Sequence, residues 1–204
     1  MIAARHKPIL DPMDTASSGT LESSLRDQFL IAMPSLNDGL FSHAVAYVCE
    51  HDAEGALGLV INQPTELTLR DLLQHVELEP RDDLPELPVF RGGPVQPEHG
   101  FVLHSSEQQW RATQPLTDQV SLTTSRDILE AINAGEGPQR VLITLGHAGW
   151  GPGQLESELG ENAWLTAPSD TGILFETPPA ERWSRAAELI GIDVNLISSA
   201  SGHA

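Results

Sequence analysis

Short apolar runs with the composition of β-strands recur along the chain from Gln28 onwards. They read QFLIAMP (28–34), AVAYVCEH (44–51), ALGLVINQP (56–64), VFRGGPV (89–95), GFVLH (100–104), QVSLTTS (119–125) and RVLITLG (140–146). Runs of this length that are rich in β-branched and aromatic residues favour strands. The segment 52–55, Asp-Ala-Glu-Gly, separates the second and third runs and predicts a hairpin.

Helical patterns interrupt these strands without alternating strictly with them. Thr68 followed by Asp71 predicts a capped helix, Ser125 predicts the cap of a second one, and QLESELG (154–160) and ERWSRAAELIG (181–191) predict two more. Gly191 stands where a helix ends, while NAWLTAP and GILFE favour extended structure. This order predicts an α+β fold with three to four helices, formed by residues 25–204 after a flexible tail at 1–24.

The charge balance limits the partners of the chain. Asp and Glu number 29 against 11 Lys and Arg, a formal net charge of −18, and Lys7 is the single lysine. Nucleic acids and anionic membranes bind through clustered Lys and Arg, so neither is expected as a direct partner. A P-loop lysine or a Schiff-base lysine is excluded beyond position 7, and the single Cys49 excludes an internal disulfide. The first residues lack the apolar core of a signal peptide, which predicts a cytoplasmic protein.

The segment LGHAGWGPGQLESEL (145–159) is the most unusual of the chain. Its glycines, Gly149 among them, permit a tight loop between a strand and a helix. Trp150 in that loop has two interpretations, a core plug or an indole presented to a partner, and Gln154 either orients a ligand or caps the helix start. The absence of a lysine and the early Glu156 argue against phosphate binding there.

A second tight turn is formed by Arg91, Gly92, Gly93 and Pro94. An arginine beside exposed backbone amides can hold a carboxylate, and the alternative is a plain surface turn. Among the eight histidines, His104 and His147 are the candidates for a hydrolase or transferase, although no GxSxG or HExxH motif accompanies them. No metal site and no cofactor site is predicted.

Taken together, FLIAMPSLNDGLFSHAVAYVCEH, GALGLVINQP, FRGGPV, GFVLHS and LGHAGWGPGQLESEL followed by NAWL resemble the YqgE/AlgH family of bacterial proteins. The resemblance runs from Phe29 to the closing SGHA, and it departs from the family pattern at His147, where many relatives carry tyrosine, and in the long N-terminal extension. It implies a compact cytoplasmic domain with a strongly curved, barrel-like, mainly antiparallel sheet. It brings no catalytic residue set. Family motif positions matched in this sequence are Asn62, Gly92, Gly93, Pro94, His104, Gly149, Trp150, Gly151, Gly153, Gln154 and Trp164.

Three functions follow as hypotheses. The first is a non-enzymatic binding or regulatory module that holds a protein partner or a small ligand through Arg91, Gly92, Gly93, His104, His147, Gly149, Trp150 and Gln154. The second is a hydrolase or transferase that uses His104 or His147. The third is a transcriptional regulator, as some members of the resembled family are labelled; the chain shows no basic recognition helix, so an indirect role is favoured over direct DNA binding.

Overall fold

The computed structural model describes residues 24–34, 36 and 39–192. The tail expected at 1–24 therefore lies outside the described residues except for Ser24, and so does the end of the chain from 193 to 204. Ten strands are described: β1 Gln28–Ala32, β2 Val45–Asp52, β3 Gly55–Val60, β4 Pro64–Thr68, β5 Pro88–Arg91, β6 Val95–Ser105, β7 Thr113–Pro115, β8 Val120–Thr123, β9 Val141–Trp150 and β10 Trp164–Pro168. Five α-helices accompany them: α1 Leu69–His75, α2 Asp127–Ala134, α3 Gln154–Gly160, α4 Thr171–Phe175 and α5 Arg182–Glu188.

All ten strands join one curled sheet that forms a half-barrel. Its order is β10-β1-β2-β3-β9-β6-β8-β7, and β4 and β5 form a branch attached to β9. The ladders are antiparallel except for β5 with β9, which pair in parallel. The α+β fold with a strongly curved, mainly antiparallel sheet is confirmed.

Successive residues of the strands point to opposite faces of the sheet and therefore belong to different core clusters, of which three are described. The first contains Phe29 and Ile31 of β1, Leu142 of β9, and residues of α4 and α5. The second and third lie on the opposite face, because β1 gives Leu30 to the second and β9 gives Ile143 to the third. Helix α3 packs on the second cluster, whereas α1 and α2 pack on the third. A sheet covered on both faces explains why its strands read as nearly continuous apolar runs.

Arg26 links the segment before β1 to β7, the strand at the far end of the curled sheet. It lies just before β1, and its guanidinium donates to the carbonyls of Pro115 in β7 at 2.7 Å and of Leu116 at 3.0 Å. We call the gap between the segment before β1 and β7 the seam. Among the described residues, side-chain hydrogen bonds cross it and no strand ladder does.

Several predictions that depend on residues close together in the chain are confirmed. The hairpin of β2 and β3 turns at 52–55, and a capping box joins Thr68 with Asp71 at the start of α1. Gly191 adopts the left-handed conformation, with φ of +73°, after α5.

No helix among the described residues is long and apolar enough to cross a membrane.

Three local predictions were wrong. GILFE is helical in α4, because the Asp170 side chain accepts the Ile173 N–H at 2.8 Å and caps that helix. Arg126, not Ser125, occupies the cap position of α2, since the Ser125 hydroxyl donates to Asp127 instead. The expected glycine loop after Gly146 is instead the second half of β9, which changes partner and pairs with β3 from residue 148 to Trp150.

Candidate functional site

The Gly92-Gly93 turn crosses β9 backbone to backbone. A Cβ atom added to Gly92 would lie 2.2 Å from the carbonyl oxygen of Gly146, and one added to Gly93 would lie 2.0 Å from the carbonyl carbon of His147. Gly146 itself has a φ of +71°, which bends β9 at the crossing. The glycines therefore serve a close approach of two chain segments, and this fixes the position of Arg91 and Pro94 on either side.

A cleft of about 290 Å³ opens beside this crossing. Its lining residues are Leu40, Thr65, Arg91, Gly93, Pro94, Pro97 and Leu145. Leu145 packs against the third core cluster, and Leu40 precedes Phe41, which packs against the second. The cleft thus lies on this face of the sheet, between the second and the third core cluster.

Two amide side chains after β3 hold the wall that contains Leu40. Gln63 donates from its side chain to the carbonyl of Leu40, and Asn62 donates to the carbonyl of His43 at 2.8 Å. The Asn62 side-chain oxygen also accepts the N–H of Val45 at 2.8 Å. The INQP motif therefore fixes the loop above the cleft.

Arg91 is held at its backbone and free at its guanidinium. Its N–H donates to the Gln63 carbonyl at 2.9 Å, and it is the register partner of Leu145 in the parallel ladder. The side chain is exposed. Within residues 24–34, 36 and 39–192, the guanidinium has no hydrogen bond, ion pair or ring contact.

The other arginines of the described residues are engaged. Ion pairs with carboxylates hold Arg81, Arg126, Arg140 and Arg185. Backbone carbonyls hold Arg26, Arg70 and Arg182. Arg111 interacts electrostatically with Asp127. Arg91 is set apart from all of these within the described part of the chain.

Trp150 is buried, with 7% of its surface exposed, and belongs to the second core cluster. Its indole N–H donates to Oε2 of Glu158 at 2.8 Å, and the indole N–H of Trp164 donates to the same oxygen at 2.8 Å. The two rings meet edge to face, 6.0 Å apart. Of the two interpretations of Trp150, the core plug is the one that the structure shows. This indole is not presented at the surface.

Gln154 completes the same arrangement, which we call the indole clasp (Trp150, Gln154, Glu158 and Trp164). Its side-chain N–H donates to Oε1 of Glu158 at 2.9 Å, and its oxygen accepts the N–H of Gly151 at 3.0 Å. Gly149 is exposed on β9 and pairs with Leu57 of β3. The clasp joins β9, α3 and β10, and none of its members lines the cleft.

His104 is completely buried in a directed chain of hydrogen bonds. Because a carbonyl only accepts, Nδ1 donates to the Ser105 carbonyl at 2.9 Å, and Nε2 accepts the Thr123 hydroxyl at 2.8 Å. Thr123 in turn lies 2.6 Å from the Thr113 hydroxyl, which accepts the N–H of Trp110 at 2.7 Å. Burial lowers the pKa of His104. Both ring nitrogens are used within the fold, away from the cleft.

His147 packs edge to face against Phe101, with ring centroids 5.3 Å apart. Its Nδ1 is buried and has no hydrogen-bond partner among the described residues. Burial lowers its pKa, and the nearby His99 lowers it further. The ring does not line the cleft. The structure therefore keeps the side chains of His104, His147 and the indole clasp out of the cleft that Arg91 and Gly93 line, although the backbone of His147 touches Gly93.

One feature that the sequence reasoning missed is an anchor for the start of the domain. The N–H of Leu25 donates to Nδ1 of His51 at 2.9 Å, so Nε2 carries the proton that is donated to Glu156 at 2.7 Å. Ser24 donates to the His51 carbonyl at 3.1 Å. In the part of the chain that is described, no group of three or more His, Cys, Asp or Glu side chains could hold a metal ion.

The fold and the cleft define a single-domain α+β protein with a curled sheet and a small, mainly apolar surface site beside Arg91, whose guanidinium has no partner among the described residues. Residues 29–195 match the AlgH-like family model. The chain therefore belongs to the YqgE/AlgH family.

Two relatives show how evenly the similarity extends. A UPF0301 protein of Thioalkalivibrio sulfidiphilus is 54% identical over 185 residues, which cover 91% of this chain and 100% of the relative. A UPF0301 protein of Methylococcus capsulatus is 52% identical over 180 residues, which cover 88% of this chain and 96% of the relative.

Solved structures agree on the fold. The solution structure of the AlgH protein from Pseudomonas aeruginosa matches with a TM-score of 0.76 and 44% identity over 92% of this chain and 100% of that one. A crystal structure of a Corynebacterium diphtheriae protein matches with a TM-score of 0.68 at 19% identity, over 89% of this chain and 94% of that one, and shows the fold alone.

Proposed function

We propose that this protein is a non-enzymatic binding module that acts in the cytoplasm and holds a small ligand in the cleft beside the Gly92-Gly93 turn. The observation that carries the proposal is the cleft itself. Its walls are fixed by the backbone crossing and by Gln63, while its interior is open to solvent. Largely preformed, mostly apolar concavities with few polar groups are the usual form of small-molecule sites.

Two other functions receive less support. A hydrolase or transferase that uses His104 or His147 needs a histidine that reaches a substrate. His104 is buried and both its nitrogens are bonded, and the ring of His147 has a buried Nδ1 and does not line the cleft. Direct DNA binding needs an unpaired basic surface, and most arginines here are paired with carboxylates or carbonyls. A regulatory role in which the bound ligand alters contact with a protein partner is compatible with the cleft.

The experiment fills the cleft. In Leu40→Trp, the larger side chain occupies the space, while the backbone carbonyl that Gln63 bonds is unchanged. The matched control is Leu189→Trp, because Leu189 is 45% exposed at the end of α5 and does not line the cleft. Immobilised wild type and both variants are incubated with a metabolite extract, and the eluted small molecules are compared by mass spectrometry.

Compounds that wild type and the Leu189 variant retain, and that the Leu40 variant loses, support the cleft as the ligand site. Equal retention by all three proteins contradicts it, and so does the absence of any enriched compound. Circular dichroism checks that both variants are folded before the comparison is made.

A further inference from the structure

The cleft carries one cationic group in a strongly acidic protein. Acidic residues outnumber basic ones 29 to 11, so each arginine has many carboxylates available within the chain. Arg91 nevertheless has no partner in the described part of the molecule, although its backbone is fixed on both sides by β9 and Gln63. With respect to the described residues, this fixed and exposed guanidinium is thus an unused recognition group.

The guanidinium has a definite chemical preference. Its planar fork of N–H donors matches the two oxygens of a carboxylate, and such bidentate pairs are stronger and more directional than those of lysine. Phosphates also bind arginine, but a phosphate ester carries close to two charges and needs further donors, whereas the other lining side chains are apolar apart from Thr65. The Thr65 hydroxyl already donates to the Val89 carbonyl at 2.7 Å. A single carboxylate is the anion that this donor set satisfies.

The rest of the lining selects the body of the ligand. Leu40, Pro94, Pro97 and Leu145 offer apolar contacts in the same cleft as the arginine. A volume of about 290 Å³ lies at the lower end of the range of small-molecule sites. That space suits a compact apolar group.

We propose that the cleft binds a small monocarboxylic acid with a compact, branched apolar body, as the free acid, with its carboxylate on Arg91. This assignment rests on the proposed function, because it names the ligand class of the same cleft. The formal net charge of −18 repels anions at long range, so binding depends on short-range contacts with Arg91 and the apolar walls.

The test uses 4-methylpentanoate and its neutral analogue 4-methylpentanamide, which have nearly the same shape. Each is titrated into the ¹⁵N-labelled protein, and amide shifts are followed at Thr65, Gly93 and Leu145. The acid is expected to bind in the millimolar range, with the amide about tenfold weaker, which corresponds to about 1.4 kcal/mol. Arg91→Gln should remove this preference, whereas Arg111→Gln should keep it, because Arg111 is outside the cleft.

Each other outcome overturns a defined part of the argument. Equal binding of acid and amide by wild type overturns the carboxylate assignment and leaves the proposed function intact. No shift with either compound overturns both. A short peptide ending in leucine forms the third arm, and much tighter binding of its terminal carboxylate than of 4-methylpentanoate overturns the assignment to a free small acid. Retention of the preference in Arg91→Gln removes Arg91 from the site.

Discussion

Removing the Glu158 carboxylate should destabilise the protein through the indole clasp. Glu158→Ala leaves the indole N–H groups of Trp150 and Trp164 without their acceptor, in a region where these rings are 7% and 3% exposed. A buried donor that loses its partner costs about 1–3 kcal/mol, and hydrogen bonds to charged groups lie in the upper part of that range. Glu158 itself is half-buried, so water can replace part of the loss. We expect a decrease of about 2–4 kcal/mol in the free energy of unfolding.

Urea unfolding followed by circular dichroism measures this change without relying on tryptophan emission. The loss of unfolding free energy should depend on the two indole N–H donors, those of Trp150 and Trp164. In the Trp150→Phe/Trp164→Phe background, both rings remain apolar and neither donates, so Glu158→Ala should cost less than about 1 kcal/mol there. Glu158→Gln should fall between wild type and alanine, because one amide oxygen remains as an acceptor while the amide N–H₂ faces the donor of Gln154.

Two results would refute this reasoning. One is a Glu158→Ala cost below about 0.5 kcal/mol in the wild-type background, which is the range of ordinary surface substitutions. The other is the same cost in both backgrounds, which would assign the effect to α3 and not to the indoles.

Three further predictions concern the crossing, the buried histidines and the seam. Gly93→Ala should cost about 3 kcal/mol or more in urea unfolding, since its Cβ would overlap the β9 backbone, whereas Gly160→Ala, with nothing within 4 Å, should be close to neutral. The pKa values of His104 and His147 are lowered by burial, so protons bind the unfolded state first. Stability should therefore fall as the pH drops below about 6.5, by at most about 1.4 kcal/mol per pH unit for each histidine, and His147→Phe should flatten that slope; a flat profile in the wild type would contradict the assignment. Arg26→Ala should accelerate amide hydrogen exchange in β7 and β8 more than in β2, and uniform acceleration would show that Arg26 does not act at the seam.

The sequence predicts those elements whose determinants are neighbours in the chain. The β2–β3 hairpin and the Thr68 capping box depend on residues at most a few positions apart, and both are confirmed. GILFE was wrong because the deciding residue, Asp170, precedes the run and acts by capping, which an apolar pattern does not display.

The candidate site was predictable only in part, because its members come from distant segments. Arg91 and Gly93 stand out in the sequence, but Leu40, Thr65 and Leu145 join them only through the parallel pairing of β5 with β9 and through the Gln63 side chain. For the glycine–tryptophan motif, the decisive residue is Glu158, whose spacing from Trp150 is visible but whose second partner, Trp164, follows after another turn. The hydrogen bonds of Glu158 to both indoles give this motif its role in the core, and the local sequence pattern does not display them.

Strand β9 has a consequence for how the chain folds during synthesis. It pairs with β3, β5 and β6, which precede it by roughly forty to ninety residues, and it is the strand that connects them. Until residues 141–150 have left the ribosome, those three strands expose edges that lack their final neighbour. Such non-local pairing makes folding slow and leaves the nascent chain prone to association. A pause in translation before residue 141 would therefore lengthen the period in which these three strands lack the neighbour that joins them.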